Sequence, residues 1–232
     1  MPSVRRVPGQ GWLALLGGGE FSFGETLAAD RAWLAKTPPG PVGFVPAASD
    51  SAEYGRHFTT YLEATFEREV EVIPVYRPRD ARRGKNAERI RACAAAYLGG
   101  GVTDHLLDTL AGSPAAEAMT QKLAAGGLVV AIAAAAQAAG AAARSIFGGK
   151  VLPGLGWLPG GVVETNFDPA HDRRLRALLA APGVEWGVGL ATGSALLLGP
   201  EERIESVGTV FVLGGAEADF EILPETPTGG LR

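Results

Sequence analysis

GGLVVAIAAAAQAAGAAAR, Gly126–Arg144, decides how this chain is read. GLVVAI (Gly127–Ile132) is a continuous apolar run, the pattern of a strand buried on both faces of a sheet. The remainder is alanine-rich and predicts a helix, because alanine is the strongest helix former and lets a helix press closely on a sheet. A strand that passes through a strained turn into a helix is where an α/β-hydrolase-type elbow holds its nucleophile. At this turn every plausible position is alanine, which has no hydroxyl or thiol to attack a carbonyl.

Outward from that stretch, short apolar runs alternate with segments of helical spacing. WLALL (Trp12–Leu16), PVGFVP (Pro41–Pro46), VEVIPV (Val70–Val75) and AAAYL (Ala94–Leu98) read as strands. Between and after them, Glu25–Ala35, Ala52–Phe66, Asn86–Cys93, Asp104–Leu110, Pro114–Ala124 and Asp172–Leu179 read as helices. Alternation of this kind predicts an α/β fold with a mostly parallel sheet flanked by helices. Beyond residue 180 short runs split by Gly and Pro predict extra C-terminal strands that extend one edge of the sheet, and the tail Pro224–Arg232 is expected to fray. The chain, residues 1–232, reads as a single domain.

Ligands of open parallel sheets bind at the carboxyl ends of the strands. Four such tips carry small residues: Gly17–Glu20, Ala47–Ser49, Gly99–Thr103 and Ile132–Ala135. Gly17-Gly18-Gly19 is not a dinucleotide fingerprint, since it lacks the spaced third glycine and leads into Glu20, which repels a pyrophosphate. The net charge of −4 gives no footprint for nucleic acid, and the basic cluster Arg77, Arg79, Arg82, Arg83 and Lys85 reads as a solvated loop. The single cysteine, Cys93, excludes an intrachain disulfide or a cysteine metal cluster. The opening MPSVRRVPGQG lacks a signal peptide's apolar stretch, and the alanine run is too short for a membrane span, so a cytoplasmic protein is expected.

LLGGGE (Leu15–Glu20), FVPAAS (Phe44–Ser49) followed by Tyr54 and Tyr61, YLGGGVTDHLLDTL (Tyr97–Leu110), GLGWLPGGVVETNF (Gly154–Phe167) and VGLATGSALLL (Val188–Leu198) occur in that order. Together they resemble the serine peptidase family that contains peptidase E (aspartyl dipeptidase) and cyanophycinase. The resemblance covers nearly the whole chain and implies a three-layer αβα sandwich of the class I glutamine amidotransferase-like, flavodoxin-like kind. It also implies a hydrolase of Asp-containing peptides whose Ser, His and acidic residues form a triad, with backbone N–H groups of the glycine turn in the oxyanion hole.

The family's elbow reads Gly-Thr-Ser-Ala-Gly-Ala. Counting from Gly126 and Gly127 sets its serine on Ala134, and anchoring on AAGA (Ala138–Ala141) sets it on Ala138. The family histidine falls on Asn166, its acidic neighbour on Glu164, and the acidic run on Ala191, Thr192 and Gly193. Asparagine cannot act as a base at neutral pH, and triad members work as a unit, so the chain is expected to be a pseudoenzyme. Its function is then binding: of a small peptide or amino-acid-like ligand, or of a second copy or another protein.

Glu20, Gly100, Gly101, Thr103, His105, Gln137, Glu164, Asn166 and Thr192 are the candidate ligand-binding residues. No metal, cofactor, nucleic acid or membrane is expected as a partner. Two enzymatic alternatives stand beside this reading. One is an active serine-type exopeptidase or isopeptidase. The other is a hydrolase whose nucleophile has moved to Ser194, Ser145, Ser49 or Thr103. His57, His105 and His171 are the only imidazoles; His171 reads as the exposed first turn of a helix, and Ser49 as a cap for the helix after it.

Overall fold

The computed structural model describes residues 3–227. In chain order the elements are β1 (Trp12–Leu16), α1 (Leu27–Leu34), β2 (Val42–Val45), α2 (Ala52–Phe66), β3 (Val70–Val72), α3 (Pro78–Ala81), α4 (Gly84–Ala92) and β4 (Ala95–Leu98). They continue with α5 (Thr103–Leu110), α6 (Pro114–Ala124), β5 (Leu128–Ile132), α7 (Ala134–Ala138), β6 (Ala142–Arg144), β7 (Val151–Pro153) and β8 (Gly161–Thr165). The last are α8 (Arg173–Leu179), β9 (Trp186–Leu190), β10 (Ala195–Leu198), β11 (Ile204–Val207), β12 (Val210–Leu213) and β13 (Glu221–Ile222).

A seven-stranded sheet in the order β11-β10-β1-β5-β4-β2-β3 forms the middle layer. Its β1, β5, β4, β2 and β3 are parallel, and β10 and β11 add antiparallel at one edge. Alternate residues of each parallel strand face opposite layers. Leu16, Phe44, Tyr97 and Val130 pack with Trp33 of α1 and with Phe58 and Leu62 of α2. Leu15, Val45, Leu98 and Val129 pack with Ile90, Leu106, Met119 and Leu123 of α4, α5 and α6. The fold is α/β, with a mostly parallel sheet between two helical layers.

The C-terminal strands do more than extend one edge. Only β10 and β11 do so; β8, β9, β12 and β13 build a separate four-stranded sheet, with α8 packed on it through Leu175, Leu178 and Leu179. The alanine run also departs from expectation. Its helix stops at Ala138, and Ala142–Arg144 becomes a strand paired with Val151–Pro153. The N–H groups of Gly154, Leu155, Gly156 and Trp157 take the carbonyls of Ala141, Ala138, Gly140 and Ala139, so this tertiary pairing overrides helix propensity. The start of the tail is anchored rather than frayed, because Thr226 donates its N–H to the Ser206 carbonyl. Residues 228–232 of that tail lie outside the described residues. Among the described residues, no helix is long and apolar enough to cross a membrane.

Register lines up the carboxyl ends: Leu16 pairs with Ile132, Ala131 with Leu98, and Leu98 with Val45. The second sheet joins this row where Asn166 donates its N–H to the Gly17 carbonyl at 2.7 Å. The candidate site forms at that seam.

Candidate functional site

Between β5 and α7 sits Ala133, with φ 51° and ψ −115°. This conformation is strained for any residue with a Cβ and costs on the order of 1–3 kcal/mol. The elbow residue is therefore Ala133, which corrects the placement at Ala134 or Ala138; both of those lie within α7, where backbone angles are ordinary. Ala133 donates its N–H to the Leu16 carbonyl at 3.0 Å and accepts from the Gln137 N–H at 3.0 Å, so strand and helix fix it from both sides.

Asn166 follows β8 with φ 48°, a left-handed conformation that asparagine tolerates better than most residues. Thr192 donates its hydroxyl to Asn166 Oδ1 at 3.1 Å. Gly18, at φ 106°, makes room for that amide: a Cβ there would lie 2.6 Å from Asn166 Oδ1. The Gly193 N–H in turn donates to the Gly18 carbonyl at 3.0 Å. Ala133 and Asn166 thus hydrogen-bond to consecutive residues of the β1 tip, Leu16 and Gly17, which brings the elbow and the Asn166–Thr192 pair to one place.

The glycine turn after β4 closes the other side. A Cβ on Gly100 would meet the Ala133 methyl at 3.4 Å. The Gly100 N–H is not open to a ligand, because it donates to the Tyr54 hydroxyl at 3.0 Å. Tyr54 itself is held between Phe44 and Phe21. Burial raises its pKa, so the phenol stays neutral and its own proton remains a donor at the elbow. Sequence reading noted Tyr54 only as part of a motif; its partner lies 46 residues away.

The remaining candidate residues divide. Thr103 donates its hydroxyl to Gln137 Oε1 at 2.9 Å, and Gln137 Nε2 donates to Thr165 Oγ1 at 3.1 Å. This bridge ties α5, α7 and β8 together and leaves Gln137 and Thr103 engaged. Glu20 caps a short 3-10 turn through the Ser22 N–H and hydroxyl. His105 Nε2 lies 2.8 Å from the Tyr76 carbonyl, so that nitrogen carries the proton. Gly101, at φ 146°, fits under Ala48, whose carbonyl would lie 2.1 Å from a Cβ on it.

Glu164 is not a cleft residue, which corrects its inclusion. It alternates with Thr165 and shares the β8 face of Val162, beneath α8, away from Gln137. Its side chain is buried with Oε2 unpartnered, and burial raises its carboxyl pKa while Arg144 and Arg174 pull it partly back. The folded state therefore holds this proton more tightly than the unfolded chain. Its stabilising contribution is complete below the ordinary glutamate range and is lost as pH rises through the folded value. Glu164→Gln is expected to raise stability at pH 8 by about 1 kcal/mol, with the gain shrinking towards pH 4. Urea unfolding at both pH values checks this; a gain that grows on acidification would contradict it.

Each alternative nucleophile makes a structural hydrogen bond. The Ser194 hydroxyl donates to the Ala191 carbonyl at 2.7 Å, and Ser145 donates to Asp104 Oδ1 at 2.5 Å. Ser49 accepts the Ser51 N–H at 3.1 Å, two residues short of α2, instead of capping it. Among the described residues none of these hydroxyls, nor Thr103, has an imidazole as hydrogen-bond partner. His171 pairs with Asp168 at 2.8 Å on the surface. No group of three or more His, Cys, Asp or Glu side chains that could hold a metal ion occurs among the described residues.

A family model described as Peptidase family S51 matches residues 13–199. The chain belongs to peptidase family S51. Two solved structures share the S51 chain's fold. A peptidase from an acI-B1 Actinobacterium is 20% identical with a TM-score of 0.74, over 93% of this chain and 95% of that one. A putative peptidase E protein from Listeria monocytogenes EGD-e is 15% identical with a TM-score of 0.62, over 85% and 98%. No curated protein sequence matches. All the geometry at Gly17, Gly100, Ala133, Asn166 and Thr192 lies within the matched S51 segment.

Proposed function

We propose that this S51 chain is a non-catalytic member of its family that acts by binding a ligand or partner at the remnant cleft. One observation carries the reading: Ala133 occupies the strained strand-to-helix position with a methyl group where acyl transfer needs a hydroxyl. Two further observations support it. The Asn166–Thr192 pair has the connectivity of a base and its orienting group but offers no basic nitrogen. The Gly100 N–H, one of the glycine-turn donors, is taken by Tyr54.

The backbone strain remains although no nucleophile uses it, which fits a cleft kept in shape for recognition. What the cleft presents is polar and uncharged: the Asn166 amide, the Thr192 hydroxyl, the Tyr54 phenol and the backbone of Gly18 and Gly101. A fluorophosphonate probe, which labels activated serines, is expected to leave the protein unlabelled at stoichiometric protein concentration. Stoichiometric labelling at any serine would overturn the proposal, and mapping the modified peptide would name the nucleophile.

A further inference from the structure

Beyond the glycine turn from Ala133 runs a groove that adjoins the remnant cleft at Gly101 and extends away from it. Ala48, Asp50, Val102, His105 and Phe147 line a cavity of about 540 Å³. Asp50, Ala52, Tyr76, Arg77 and Arg79 line a neighbouring one of about 300 Å³. Asp50 lines both, so the two cavities meet at its side chain, and Asp50 and Arg77 share the wall of the second.

The groove carries opposite unspent charges. The Asp50 side chain is 75% exposed, and the half-buried His105 ring lies 3.8 Å from it. That ring already spends Nε2–H on the Tyr76 carbonyl. Asp104, also on the wall, spends one oxygen on the Ser145 hydroxyl and the other on the Ile146 N–H. On the basic side, Asp80 lies between Arg79 at 3.8 Å and Arg83 at 3.6 Å. The Arg77 guanidinium has no hydrogen bond or ion pair among the described residues; only its backbone carbonyl is engaged, by the Asp80 and Ala81 N–H groups. In the larger cavity, which Asp50 also lines, the Phe147 ring stands 69% exposed on a wall shared with Ala48 and Val102.

A lone anion at Arg77 would meet Asp50, and a lone cation at Asp50 would meet Arg77. A molecule carrying both charges satisfies both, and an apolar body covers the Phe147 ring, whose removal from water is favourable. We propose that this groove binds a zwitterion with an apolar body, its ammonium at Asp50, its carboxylate at Arg77 and its apolar group against Phe147. An aromatic α-amino acid is the simplest molecule of that class. The site does not depend on the loss of chemistry at Ala133, so the two proposals fail separately.

Calorimetric titration of the full chain tests it with three probes: L-phenylalanine, 2-phenylethylamine, which lacks the carboxylate, and 3-phenylpropionate, which lacks the ammonium. Saturable binding of L-phenylalanine is expected, with each truncated probe weaker by roughly three- to tenfold. Asp50→Asn should abolish the preference over 3-phenylpropionate while keeping that over 2-phenylethylamine, and Arg77→Gln should do the reverse. Both positions are exposed, so the variants are expected to fold as the parent does. No saturable heat with L-phenylalanine at millimolar concentration would overturn the proposal. So would equal binding of either truncated probe, or a preference that neither variant alters.

Discussion

Ala133→Ser alone is expected to leave the chain without measurable amide hydrolysis. Adding Asn166→His and Thr192→Glu to it is expected to bring turnover at least about 100-fold above the detection limit that the wild type does not reach, because triad members act as a unit. A hydroxyl at 133 keeps its ordinary acidity unless a base takes its proton, and the amide of Asn166 cannot. An imidazole at 166 supplies that base. A carboxylate at 192 takes over the place from which Thr192 now bonds Asn166 at 3.1 Å. The geometry favours the transfer, since 133 and 166 are held by the adjacent carbonyls of Leu16 and Gly17. Hydrolysis of Asp-Xaa dipeptides by the three purified forms is the check. Activity of the single variant equal to that of the triple one would mean that another base serves position 133.

Gly17→Ala is expected to destabilise the protein by about 3 kcal/mol and to lower Tm by roughly 6–12 °C. A Cβ at Gly17 would lie 2.0 Å from the Ala191 carbonyl oxygen and 2.9 Å from that of Leu190. Both obstacles are backbone atoms, so no side-chain rotation relieves the overlap; β1 or the segment after β9 has to shift. That segment carries Thr192, so the site deforms together with the fold. Gly24→Ala is the matched control: at φ 77° it meets conformational strain but no atom within 4 Å. Its loss should stay near 1 kcal/mol. Urea unfolding of the two variants separates them. A loss at Gly17 no larger than at Gly24 would show that β1 and residues 190–191 are not in contact.

The sequence was most legible where burial on both faces left continuous apolar runs. WLALL coincides with β1, and Ala52–Phe66 and Pro114–Ala124 coincide with α2 and α6. VEVIPV was read too long: β3 stops at Val72, two residues before Pro74, which has no N–H to donate to a ladder. The second sheet was not legible, because whether a late strand joins β1 or β9 depends on long-range pairing that short runs do not encode.

At the site, the absence of any serine from Gly126–Arg144 is plain in the sequence, but which alanine takes the strained turn is not. In Ile132–Ala136 the side chains after Ile132 are identical, so only the backbone angles distinguish Ala133 from its neighbours. Asn166 and Thr192 were picked out by resemblance, and the structure joins them by one hydrogen bond. Glu164 was misassigned because side chains on a strand alternate: standing two residues from Asn166 said nothing of the left-handed turn between strand and loop. Tyr54 carried no signal beyond its neighbourhood, since its role rests on a contact made across the sheet.

The most direct test of the central claim is amine release from Asp-Xaa dipeptides, β-Asp-Arg and cyanophycin at high protein concentration, beside a family member with an intact triad. No turnover above the blank is expected for this chain, and ready turnover for the relative. Turnover by this chain that a serine-directed inhibitor abolishes would contradict it.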